Sequence, residues 1–196
     1  PPVKEYALTV GLDVYQPEKI KNNTEVMEKL KSISPDFFAV VAYGKILPQN
    51  VLDIPKIAPV NVHFSLLPKY RGPAPVNWAI MNGEEETGVD TMLMDAGMDT
   101  GDILLTAKIP ILKKNAGELA DELAVTGAEL LIKTLNEFEN ITPVKQDNDK
   151  ATKAPMMNKD MGLIDWSQDA YKIERMIRPF TPWPAGYSML DSKKVK

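Results

Sequence analysis

The chain has no cysteine, one histidine, and no apolar run longer than the seven residues from Phe37 to Tyr43. Without cysteine there is no disulfide framework, zinc knuckle or thiolate nucleophile. A lone histidine cannot build a His-rich zinc site. The apolar run falls far short of the roughly 20 residues a membrane span needs, and no signal-peptide pattern opens the chain. Neither G-x-G-x-x-G nor G-x-x-x-x-G-K occurs, which removes the usual dinucleotide and P-loop signals, and the G-x-S-x-G nucleophile elbow is missing too. The formal net charge of −4 lacks the basic footprint of a dedicated nucleic-acid binder. Only the stretch from Val144 to Lys196 leans basic, with ten Lys and Arg against seven Asp and Glu.

What is present is an ordinary globular composition, 44% hydrophobic and 26% charged over 196 residues. That is enough chain for one α/β domain, or for a domain and part of another. Val3 to Thr9 reads as the end of a helix, Leu12 to Tyr15 as a short strand, and Thr24 to Ile33 as an amphipathic helix. Phe37 to Tyr43 reads as a strand buried on both faces of a parallel sheet, and Ala58 to His63 as the next strand. A Pro- and Gly-rich loop from Ser65 to Pro73 precedes a helix from Ala74 to Asn82 that Gly83 closes. Strands at Val89 to Met94 and Ile103 to Ile109 flank a loop at Gly97 to Asp102, and a long helix spans Ala116 to Phe138. The pattern predicts a doubly wound, mostly parallel sheet in residues 1–142. Residues 143–196 read as a linker, one helix near Ser167 to Ile177, and the start of a C-terminal β domain. Pro1-Pro2-Val3-Lys4 carries no initiator methionine, so a first βα unit is expected to be lacking, and the isolated chain to be unstable.

Three residues stand out for chemistry. A single histidine at a strand end is, taken alone, more often structural. His63 follows Asn61 by two on a predicted strand, however, so both side chains project from one face and can converge on one atom. In a doubly wound sheet the carboxyl end of such a strand opens on the ligand crevice. Asp99, in Gly97-Met98-Asp99-Thr100-Gly101-Asp102, has flanking glycines that permit tight or positive-φ backbone. Trp78, Trp166 and Trp183 are read as core and packing residues rather than a base-stacking set.

At Asn61-Val62-His63-Phe64-Ser65-Leu66-Leu67-Pro68-Lys69-Tyr70-Arg71-Gly72 the sequence resembles the folate-dependent formyltransferases, whose signature is Asn-x-His followed by Ser-Leu-Leu-Pro. The likeness continues through Ala74-Pro75, Thr87-Gly88-Val89, Met94-Asp95 and Met98-Asp99-Thr100-Gly101-Asp102. With Ile164-Asp165-Trp166 and Pro182-Trp183-Pro184, it resembles the branch acting on methionyl-tRNA rather than the purine-pathway branch. Asp90, where the family more often has Thr, and Phe64, where a small residue is common, are departures.

The resemblance implies a Rossmann-like formyltransferase fold, 10-formyltetrahydrofolate as co-substrate without a metal, and initiator methionyl-tRNA as acceptor. It further implies a monomer in the cytoplasm or a bacterial-type organelle, without a membrane role. Asn61, His63 and Asp99 are then the catalytic residues. Asn61 would donate to the oxyanion, His63 would polarise the formyl oxygen or move a proton, and Asp99 would orient the imidazole. Ser65, Leu66, Leu67 and Pro68 would bind folate, and Lys69 and Arg71 are candidate tRNA contacts. An amino-sugar or glycinamide-ribonucleotide acceptor, or a non-catalytic folate- or RNA-binding module, stand as alternatives.

Overall fold

The computed structural model describes residues 2–196. Helices α1 (Pro2–Thr9) and α2 (Thr24–Ile33) lead into strand β1 (Phe37–Val41), short helix α3 (Gln49–Leu52) and strand β2 (Ala58–His63). Helix α4 (Pro75–Met81), strands β3 (Glu86–Leu93) and β4 (Ile103–Pro110), and helix α5 (Ala116–Glu137) follow. Beyond them come helix α6 (Ala170–Ile177) and a hairpin of β5 (Ser188–Leu190) with β6 (Lys193–Val195).

The main sheet has order β1-β2-β3-β4. Period-two alternation sorts its residues onto two faces. On one face Phe37, Ala58, Val60 and Leu93 pack with Leu131, Leu135 and Phe138, and Val62 and Val89 pack with Leu123 and Leu130 of α5. Thr91 and Thr134 share a buried hydroxyl hydrogen bond of 2.7 Å across that contact. On the other face Phe38, Val40 and Met94 pack with Met27 and Leu30 of α2 and Val51 and Leu52 of α3. Helices thus cover both faces, as a doubly wound α/β fold requires.

The expected parallel pairing is met by β1 and β2, whereas β3 runs antiparallel to β2 and β4 antiparallel to β3. The cause is the connection after β2. The seven residues of α4 extend only about 10 Å at 1.5 Å per residue, so the chain re-enters the sheet at the end where β2 stopped. Glu86 begins β3 beyond the His63 and Asp90 pairing. Three expectations about individual segments are corrected. Leu12 to Tyr15 forms no strand, because no sheet partner lies beside it among the described residues, and Leu12 and Tyr15 are exposed. Phe37 to Val41 is an edge strand with Val41 49% exposed, not a strand buried on both faces. Trp166 and Trp183 are likewise exposed rather than packed.

Local chemistry sets the helix ends that frame the site. Asn115 and Glu118 form a reciprocal capping box at the start of α5, with bonds of 3.0 and 2.9 Å. Pro75 opens α4, where its missing N–H costs nothing. Gly83, at φ +72°, closes α4: the Gly83 N–H bonds Ile80 O and the Glu84 N–H bonds Ala79 O. That is the Schellman pairing, and it needs a left-handed residue at Gly83. No helix among the described residues is long and apolar enough to cross a membrane.

Leu123 is fully buried between α5 and the sheet. Leu123→Ala is expected to lower the unfolding free energy by about 3 kcal/mol, read as a shift in the urea midpoint; a loss below about 1 kcal/mol would contradict the packing described.

Candidate active site

Because Val60 and Val62 face α5, Asn61 and His63 must face the opposite side. There they share a face with Asp90 and Met92, their register partners on β3, and with Thr106, the partner of Asp90 on β4. The alternation that builds the core therefore also builds a polar row. Asn61 is half-buried, and its side-chain amide has no hydrogen-bond partner among the described residues. Its two donors and its acceptor are available to a ligand.

His63 is held at one ring nitrogen and faces a carboxylate with the other. Nε2 lies 3.1 Å from the Tyr70 carbonyl oxygen, which can only accept, so Nε2 carries the hydrogen. Nδ1 faces Asp99 Oδ2 at 3.8 Å, an ion-pair distance too long for a hydrogen bond. Burial holds the imidazole below its ordinary value, opposed by the Asp99 carboxylate and by the Tyr70 carbonyl. His63 is thus a neutral ring at pH 7 with Nδ1 open as a proton acceptor. The Tyr70 anchor is itself fixed: its hydroxyl donates to Glu84 Oε1 at 2.7 Å and accepts from Asn82 Nδ2 at 3.1 Å. Burial, with the Glu84 bond next, pushes that hydroxyl up to about 12.

Asp99 adopts φ +54° itself, and its Oδ2 accepts the Gly72 N–H at 2.8 Å. The flanking glycines serve a different purpose from the one the sequence suggested. A Cβ on Gly101 would fall 1.8 Å from Leu93 O, and one on Gly97 2.0 Å from Thr100 Oγ1. They permit close approach, while the aspartate takes the left-handed turn.

In the loop after β2, Ser65 is buried and its hydroxyl donates to Lys69 O at 2.7 Å. Leu66 lies over Gly88, where a Cβ would come within 2.6 Å of its Cδ2. The Leu67 N–H donates to Asp90 Oδ2 at 2.6 Å, and Leu67-Pro68 is a cis peptide. Lys69 pairs with Glu84 at 3.0 Å, and the Arg71 guanidinium is committed to Gln146 and Asn148.

A cleft opens beside Asp99, with Leu47, Met92 and Met94 as an apolar floor and Lys45 and Asp95 as polar rim. Ser65, Leu66, Leu67 and Pro68 do not line it. Sequence reasoning overlooked Lys45, Leu47 and Met92, whose only signal was the Gly44 turn and the strand ends nearby. A larger groove of about 290 Å³ along β1 is lined by Ile20, Leu30, Phe38, Val40 and other apolar residues. With Tyr43 as its sole titratable group, it lacks the acid–base set beside Asp99.

The family described as formyl transferase matches residues 3–135. The chain belongs to the formyl transferase family. A second stretch, residues 156–196, matches the formyl transferase C-terminal domain. A methionyl-tRNA formyltransferase of Clostridium novyi is 52% identical over all of this chain and 64% of its own length. One from Caldanaerobacter subterraneus is 50% identical with the same coverage. The chain spans about 64% of the length of these curated relatives. Among solved structures, a 4-N formyltransferase from Francisella tularensis superposes with TM-score 0.78 at 19% identity, over 99% of this chain and 79% of that one. HypX from Aquifex aeolicus, in complex with tetrahydrofolic acid, gives 0.74 at 21% identity over 88% of this chain and 30% of that one. At such identities the likeness is one of formyl transferase fold.

Asp90 sets a pH test in this member of the formyl transferase family. Burial pushes its carboxyl up to about 6, against the hydrogen bonds from the Thr106 hydroxyl and the Leu67 N–H. A folded-state value above the unfolded one adds stability that is complete below about pH 4 and lost as pH rises through 6. Asp90→Asn is expected to be more stable than wild type at pH 7 by on the order of 2 kcal/mol, with the difference vanishing near pH 4. His63 acts in the opposite sense, losing stability as pH falls below 6.5, but does so in both proteins. Parallel wild-type and Asp90→Asn stability curves between pH 4 and 7 would contradict the burial described.

Proposed function

We propose that this chain carries the catalytic unit of an enzyme that moves a formyl group from 10-formyltetrahydrofolate to the α-amino group of methionyl-tRNA, for translation initiation. Residues 1–142 would be that unit, and 143–196 the linker and start of a C-terminal domain. The observation that carries the reading is the unpartnered Asn61 amide beside the His63 and Asp99 pair at the carboxyl end of β2. The acceptor is supported by the two methionyl-tRNA formyltransferases that are 52% and 50% identical to this chain. The folate donor is supported by family membership and by the tetrahydrofolate complex of a fold neighbour. A soluble monomer in the cytoplasm or a bacterial-type organelle completes the proposal.

In the reaction the amine nitrogen bonds to the formyl carbon, the carbonyl oxygen becomes an oxyanion, and the bond to the folate nitrogen then breaks. The amine gives up a proton and the leaving nitrogen takes one. An α-amino group titrates near about 8, so much of it is already neutral at working pH. The demanding step is the oxyanion, and Asn61 supplies the side-chain amide donor for it. Of the two roles open to His63, the proposal assigns it proton transfer. Its Nε2–H is committed to Tyr70 O, so the ring offers Nδ1 as the site that takes the amine proton. Asp99 faces that nitrogen and stabilises the imidazolium when it forms. Ser65, Leu66, Leu67 and Pro68 shape the folate site from the loop, together with the cleft at Leu47, Met92 and Met94. Lys69, the more exposed of the two basic residues, is the better candidate for a phosphate of the tRNA acceptor end; Arg71 already holds two acceptors.

The test is formyl transfer from 10-formyltetrahydrofolate to methionyl-tRNA, compared with a nucleotide-linked amino sugar and glycinamide ribonucleotide. Asn61→Ala is expected to lower kcat by about 10²- to 10³-fold with donor KM little changed. Turnover only on a small amine would keep the chemistry and replace the acceptor; full activity of Asn61→Ala would remove Asn61 from the reaction.

A further inference from the structure

Between the two family-matched stretches, residues 3–135 and 156–196, runs a segment whose irregular composition suggests a passive connector. It is bonded to the core instead. Val144 exchanges both backbone hydrogen bonds with Ile103 at the start of β4, at 2.8 and 2.9 Å. Two residues on, Gln146 projects from the same side of the extended chain. Farther along, Thr152 and Ala154 bond the backbone of Arg71 at 2.9 and 2.7 Å.

Gln146 is buried, and its amide is fully used. Nε2 donates to Asp99 O at 2.9 Å and to Gly101 O at 2.7 Å. Oε1 accepts from Arg71 Nε at 3.0 Å and Nη2 at 2.6 Å. Two donors and two acceptor sites are all the groups an amide side chain has. The first pair closes the turn in which Asp99 holds φ +54°, a conformation any residue with a Cβ resists. The second pair holds Arg71, which lies between Tyr70 and Gly72. The Tyr70 carbonyl takes the Nε2–H of His63, and the Gly72 N–H holds Asp99 Oδ2. One amide thus joins the two loops that face the two ring nitrogens of His63.

We propose that Gln146 is a positioning residue, fixing the Asp99 carboxylate against His63 by tying the 99–101 turn to the Arg71 loop. The proposal rests on formyl transfer at the Asn61, His63 and Asp99 site. Gln146 touches no reacting atom, so its effect is carried by Asp99.

Gln146→Glu keeps the size and the acceptors for Arg71 but sets a carboxylate oxygen against two carbonyls; Gln146→Leu removes both sets of bonds. With thermal midpoints confirming folding, kcat is expected to fall by about tenfold to a hundredfold in each, the range for an ångström-scale misplacement. KM for 10-formyltetrahydrofolate and methionyl-tRNA should stay within about threefold. In an Asp99→Asn background, Gln146→Glu should cost less than about threefold, because two residues acting as one unit are not additive. Unchanged kcat in both variants, or an equal loss in both backgrounds, overturns the proposal. A readout free of turnover separates its failure from that of the proposed function. The His63 ring resonances, assigned by their loss in His63→Asn, should shift in Gln146→Glu in the same direction as in Asp99→Asn. An unmoved ring overturns the positioning role even in a protein that transfers no formyl group.

Discussion

The constraint on which the rest of the molecule depends is the alternation of side chains along β2. Val60 and Val62 must meet α5, where Leu123 and Leu130 are buried, and this alone commits Asn61 and His63 to the other face. A one-residue slip of register would drive the polar pair into the α5 contact and put valines in the site. Core packing and site geometry are therefore one choice. The parallel pairing of β2 with β1 and its antiparallel pairing with β3 hold the register from both sides.

On the site face, charge and burial oppose each other. His63 and Asp90 are both buried, and burial disfavours the charged form of each. His63 responds by remaining a neutral ring. Asp90 keeps two hydrogen bonds, from Thr106 and from Leu67, which soften but do not cancel the cost. The same bond gives Asp90 a structural task, because it draws the Leu67 amide onto β3 and seats the loop after β2 over the sheet. Gly88 makes the approach possible by leaving space for Leu66.

Loops that carry a site need a rigid frame, and here the frame comes from chain segments far apart in sequence. Tyr70 is anchored by Asn82 and Glu84 at the end of α4, while Asp99 is anchored by Gly72 and Gln146. Removing any one contact leaves the others, but the orientation of the imidazole depends on both loops together. A left-handed aspartate persists only where its surroundings over-determine it, and the convergence of Asp99 and Gly101 carbonyls on one amide does so.

Much of this was legible in the sequence. The strand at Ala58 to His63, the helix closed by Gly83 and the long helix from Ala116 each carry a local signal, in apolar period or in capping residues, that tertiary contacts did not override. The Asn61 and His63 pairing follows from a two-residue spacing on a strand, and the motif around it identified the family. Other features had no local signal. Strand direction after β2 was decided by how far a seven-residue helix could carry the chain. The exposure of β1 was decided by its place at the sheet edge. Asp99, not its glycines, took the positive φ, and the segment around Gln146 became a brace, because hydrogen bonds between residues 45 to 75 positions apart leave no trace in composition or periodicity. The sequence by itself determined which residues form the elements and which types of group reach the site. Only the tertiary structure decided the distances, burial and partners that hold His63 neutral with one nitrogen free.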